Sequence, residues 1–99
     1  VTPYQMPQTS SGWHLYIIQV LNNDRREVFE KLHDEGIGVN VHYIPVYHHP
    51  YYRERGYQDV CCENVEKVYA HMLSLPLYPG LTEEQQDEVI EKVKRCTGK

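Results

Sequence analysis

The stretch Ile37-Gly-Val-Asn-Val-His-Tyr43 constrains the fold more tightly than any other part of the chain. Ile37, Val39, Val41 and Tyr43 alternate with Gly38, Asn40 and His42, the two-residue period of a strand with one covered face. The chain must therefore build a sheet with one face in a core. The other face presents an amide, Asn40, beside an imidazole, His42. Pro45 stops this strand. Upstream, His14-Leu-Tyr-Ile-Ile-Gln-Val-Leu21 is apolar on both faces apart from Gln19 and reads as a central strand. Between the two, Asp24 is a good N-cap with Glu27 three residues on, and Val28, Phe29 and Leu32 share one helical face. Gly36 closes that helix.

Beyond Pro45 comes a Tyr- and His-rich loop, with a short helix from Pro50 to Arg55 closed by Gly56. Val65, Val68, Tyr69, Met72 and Leu73 keep helical spacing and predict a helix from about Cys62 to Leu73. Ser74-Leu-Pro-Leu-Tyr78 predicts a short edge strand or an irregular one, because Pro76 has no donor. Thr82 and Gln85 form a second capping box, opening a helix that runs to about Arg95. The sum is an α+β fold: a two-layer sandwich of a small, mainly three-stranded sheet with helices on one face. Residues 1–13, with two Pro and several small polar residues, predict a lead-in or linker, and 14–99 the domain itself.

Ninety-nine residues make one domain with a modest core. Ten Lys and Arg against 14 Asp and Glu leave a net charge of −4, which argues against a nucleic-acid partner. No apolar run is long enough to span a membrane, and the first residues lack a signal-peptide pattern. The chain starts at Val1, which fits a trimmed polypeptide. Three cysteines, two of them adjacent, are no disulfide framework, so the expected location is the cytoplasm.

Adjacent His48-His49 and Cys61-Cys62 do not have the paired spacing of a zinc site, so no metal is expected. The cysteines read instead as the start of an amphipathic helix, and nothing local orients a Cys–His nucleophile pair. Asp24-Arg-Arg-Glu27 reads as a solvated helix start. Arg53 and Arg55 could reach a phosphate or a carboxylate. Gly36-Ile-Gly38 follows a helix and lacks a third glycine, so it is no phosphate loop. The segment Val41–Tyr52 stands apart, with four Tyr and three His in twelve residues. Such groups on a loop have little core to fill and point to recognition or catalysis.

Four stretches resemble the C-terminal domain of the DegT/DnrJ/EryC1/StrS sugar aminotransferases, in that family's order. They are His14-Leu-Tyr-Ile-Ile; Arg26-Glu-Val-Phe with Gly36-Ile-Gly-Val-Asn-Val-His-Tyr43; Pro45 with Pro50-Tyr-Tyr; and Leu75-Pro-Leu-Tyr-Pro-Gly-Leu-Thr82. The resemblance covers residues from about 10 to 96. The version Val41-His-Tyr-Ile-Pro-Val with Pro50-Tyr-Tyr-Arg is most similar to the branch that makes UDP-4-amino-4,6-dideoxy-N-acetyl-β-L-altrosamine.

The resemblance implies the small domain of a fold type I, pyridoxal-phosphate-dependent transaminase. In the parent enzyme, a homodimer, glutamate would donate an amino group to a keto group on a nucleotide-linked sugar. The large N-terminal domain, with its Schiff-base lysine and phosphate-binding groups, has no counterpart here. Lys31, Lys67, Lys92, Lys94 and Lys99 lie on predicted helices or at the tail. So no catalytic or cofactor-binding residue is expected in this chain, and no cofactor bound to it alone. His42 and Tyr43 match the family and are the leading substrate-binding candidates. Tyr47, His48 and Tyr51 follow, and Asn40 joins them because it shares a face with His42. Many relatives carry His where this chain has Tyr47. The competing readings are a free-standing module binding a protein or ligand through the Tyr/His loop, and a small metal-binding regulator.

Overall fold

The structure, a computed structural model, describes residues 1–98. The elements run β1 (Tyr16–Gln19), α1 (Arg25–Asp34), a 3-10 turn (Val46–His48), α2 (Pro50–Tyr52), a π-type turn (Arg53–Tyr57), α3 (Glu63–His71), β2 (Met72–Leu75) and α4 (Glu83–Cys96). The architecture is α+β, with a two-stranded antiparallel sheet in the register Tyr16↔Leu75 to Gln19↔Met72.

Two expectations are corrected. The sheet has two strands where the sequence suggested three. Ile37–Tyr43 reaches it through a single antiparallel bridge, Asn40 to Ser74, closed by backbone bonds of 3.1 and 2.7 Å. Chemistry stops the ladder there. Two residues along the same register, Gly38 would face Pro76, which has no N–H to give. Val39 is spent elsewhere: its N–H donates to Ile37 O at 3.1 Å, and His33 Nε2 meets its carbonyl at 2.9 Å. The second correction is order. β2, expected at the edge, lies between β1 and the Asn40 bridge, whereas the expected central strand β1 lies outside it. Met72 and Leu73, assigned by spacing to the end of a helix, are buried in β2 instead.

The side-chain alternation survives even where the ladder does not. Ile37, Val39 and the partly buried Val41 join Ile18, Val20, Val28, Leu32, Leu73, Val89 and Cys96 in one core beneath α1 and α4. Tyr43 departs from the pattern and is 68% exposed. Asp24 Oδ1 accepts from the Glu27 N–H at 3.1 Å and starts α1. At the other end, Gly36 at φ +82° allows two closing bonds, Gly36 N–H to His33 O and Ile37 N–H to Leu32 O. That is the Schellman arrangement, and it drops Ile37 onto Leu32 in the core. Thr82 and Gln85 close a full capping box at the start of α4. Lys92 Nζ donates to Glu35 O at 2.9 Å and ties α4 to the end of α1.

α3 sits differently. It has no buried residue, and Val65 and Val68 are 44% and 41% exposed. Its half-buried residues are Glu66, Tyr69 and the terminal His71, so along its body the helix is turned about one residue from the face the apolar spacing selects.

Candidate functional site

The six candidate residues fall into three groups. The first is on the sheet face opposite the core. Asn40 pairs with Ser74 through the backbone, and His42 Nδ1 shares a 2.9 Å hydrogen bond with Ser74 Oγ. Ser74 is buried, which makes it a firm anchor for the half-buried imidazole. The Tyr43 ring lies 4.7 Å from that of His42, edge-on, and is mostly solvated.

The second group joins the turn Val46–His48 to α3. Glu66 Oε1 accepts from Tyr47 Oη at 2.7 Å and from His48 Nε2 at 2.5 Å. The Tyr47 hydroxyl in turn accepts the Cys62 N–H at 3.1 Å. Tyr47 and His48 have ring centroids 5.0 Å apart, and Tyr69 lies 6.4 Å beyond His48. Arg25 of α1 closes the back, its guanidinium 4.9 Å above the Tyr69 ring while it also donates to Tyr69 O. The hydrogen bonds from His48 and then Tyr47 hold the Glu66 carboxyl below its ordinary range. Loss of solvent around Tyr47 pushes its hydroxyl above the usual tyrosine value.

The third group is Tyr51 on α2. Arg55 stacks on its ring at 3.6 Å and donates to Tyr51 O at 2.9 Å, so this arginine is committed locally rather than held out for an anion. Tyr52 packs edge-on against both Tyr51 and Tyr57.

Sequence reasoning missed Glu66, Ser74, Tyr69 and Arg25 as members of the site. Glu66 lies 18 and 19 residues from its partners, beyond any local spacing rule. The expected solvated start of α1 holds for Arg26 and Glu27, which pair with Glu30 and Lys31, but not for Arg25. Cys61 and Cys62 are exposed rather than turned into a core. Among the described residues no group of three His, Cys, Asp or Glu is placed to hold a metal ion, and no helix is long and apolar enough to cross a membrane. A cleft of about 610 Å³ between the end of α1 and α4 is lined by none of the six candidates.

The arrangement can hold and orient a polar ligand. Its rings present hydroxyl and imidazole groups whose partners are already fixed, beside the exposed apolar side chains Ile44, Val46, Val65 and Val68.

A family model for the DegT/DnrJ/EryC1/StrS aminotransferase family matches residues 1–94. The chain is 40% identical over 100 residues to the spore coat polysaccharide biosynthesis protein SpsC of Bacillus subtilis, covering 95% of this chain and 26% of that protein. It is 34% identical to the 3-oxo-glucose-6-phosphate:glutamate aminotransferase of the same organism, covering 88% of this chain and 21% of that one. Among solved structures it is similar to Helicobacter pylori PseC, an aminotransferase involved in the biosynthesis of pseudoaminic acid. That match has a TM-score of 0.76 at 26% identity, over 86% of this chain and 24% of the other. The chain spans about a quarter of the length of the curated relatives it matches. With a model that covers nearly all of its residues, the chain belongs to the DegT/DnrJ/EryC1/StrS aminotransferase family.

Proposed function

We propose that these residues are the small domain of a fold type I sugar aminotransferase, residues 14–99 forming the domain behind a lead-in of 1–13. The parent moves an amino group from glutamate to a keto group of a nucleotide-linked sugar. The sugar is of the 4-keto-6-deoxy-N-acetylaltrosamine type, a choice supported by Val41–Val46, Pro50–Arg53 and the likeness to the pseudoaminic acid enzyme. This domain closes one side of the cleft and meets the sugar through His42, Tyr43, Tyr47, His48, Tyr51 and Asn40. A large N-terminal domain and a second subunit complete the enzyme, which works in the cytoplasm.

Pyridoxal phosphate is the family's cofactor and supplies the electron sink for amino transfer when bound. The described residues do not fit it. A lysine that carries it must be desolvated and lowered in pKa. Here Lys31 and Lys67 are exposed partners of Glu27 and Glu63, and Lys92 is bound by Glu88 and Glu35. The hydrogen bond that Lys31 donates to the Glu27 carboxylate raises the Lys31 pKa, the wrong direction. Lys94 is exposed on α4, and Lys99 lies outside the described residues. The committed state of these lysines, beside an intact polar cluster, is the observation that carries the reading: a surface that binds without a group that reacts.

Borohydride reduction of the 99-residue chain in pyridoxal phosphate, followed by peptide mapping, is the test. Scattered, substoichiometric labelling is expected. One lysine labelled to full stoichiometry would refute the assignment. So would failure of the complete gene product to aminate any nucleotide-linked keto sugar with glutamate.

A further inference from the structure

Resting on that reading of the Tyr47–His48 turn, we propose that Glu66 is the positioning residue of the sugar-binding surface. It sets both the orientation of Tyr47 and the tautomer of His48, so that His48 Nδ1 is the acceptor for a sugar hydroxyl. Three observations carry this. A single oxygen, Glu66 Oε1, serves both rings, so the two cannot turn independently of it. The Tyr47 hydroxyl is bonded on both sides, accepting from Cys62 N–H and donating to Glu66, so its proton has one direction. A carboxylate only accepts, and it therefore draws the imidazole proton to Nε2 and leaves the Nδ1 lone pair open. Among the described residues no group meets His48 Nδ1 at hydrogen-bonding distance.

The packing around Glu66 agrees with a positioning role. It sits on α3, which buries nothing in the core, so its carboxylate is not needed to fill or satisfy the interior. Its side-chain partners on other elements are Tyr47 and His48 of the turn, and Arg25 is engaged by Tyr69. Nothing but Glu66 holds the side chain of His48 by a hydrogen bond among the described residues. The geometry thus makes one carboxylate responsible for what two rings offer a ligand.

The test pairs a spectroscopic and a kinetic readout. In the 99-residue chain, nitrogen-15 spectra of His48 at a pH where the ring is neutral are expected to show the Nε2–H tautomer. Glu66→Ala should return a mixture of tautomers, with the methyl signals of Leu32 and Val39 unchanged as a check on the fold. Glu66→Gln, which keeps an acceptor oxygen, should recover part of the original signal. In the complete gene product, Glu66→Ala should raise KM for the nucleotide sugar about tenfold, leaving KM for glutamate unchanged. Tyr47→Phe and His48→Ala separate the proposal from the reading beneath it. If they raise the sugar KM and Glu66→Ala does not, the positioning role is wrong and the surface assignment stands. If none of the three moves it, the surface assignment fails and takes the positioning role with it. An unchanged His48 tautomer in Glu66→Ala also overturns the proposal.

Discussion

Glu66 shows how one side chain can substitute for a core. The turn Val46–His48 contributes no buried residue, yet Tyr47 and His48 are held by hydrogen bonds of 2.7 and 2.5 Å. Those bonds depend on ionisation. Because the folded carboxyl lies below its ordinary value near 4.5, its contribution to stability is fully present above that value. The contribution is lost as pH falls through the lowered folded value. Urea denaturation at pH 6, 4 and 3 should therefore show a gap between the native chain and Glu66→Gln that narrows as acid is added. Equal acid sensitivity in the two proteins would contradict this. Tyr47 has the opposite sign: its raised value keeps the hydroxyl protonated past the usual tyrosine range, and its share is lost only as pH rises through that raised value.

At the scale of elements, the helices fronting the core were legible and the sheet was not. Asp24, Gly36, Thr82 and Gln85 act through bonds to residues within a few positions, so sequence order alone reveals them. Thr82→Ala should cost about 1 kcal/mol, seen as a lower urea midpoint with an unchanged slope. A cost indistinguishable from zero would mean that Gln85 alone secures the start of α4. Strand order depends on partners some 34 to 59 positions away, as in Asn40↔Ser74 and Tyr16↔Leu75, and no local signal encodes it. The turned face of α3 has the same cause. Apolar spacing marks Val65 and Val68 as inward, while a carboxylate bonded to a distant loop decides which side is shielded. The candidate site was half legible for this reason: the loop announces itself through composition, and its anchors Glu66 and Ser74 do not.

For the whole molecule, surface is the telling quantity. A monomer of 11.7 kDa is expected to expose about 5,900 Å², whereas this chain exposes 7519 Å². Its radius of gyration is 15.7 Å against about 13 Å for a compact chain of this size. The stretch from Tyr43 to Val68 contributes to it, with Ile44, Val46, Val60 and Val65 exposed among the tyrosines. Patches of this kind associate in water. The isolated chain should therefore self-associate, with sedimentation coefficients that rise with concentration and fall back in Val65→Lys/Val68→Lys. A monodisperse monomer of high thermal stability would show that this surface needs no cover.

α3 passes into β2 without an intervening loop, His71 being followed at once by Met72 of the strand. The nine residues from Glu66 to Ser74 thus form a continuous crank with a polar anchor at each end. Glu66 grips the turn at Tyr47 and His48, and Ser74 grips His42. Any tilt of the helix is transmitted to the imidazole on the sheet, so the two halves of the polar surface shift in concert.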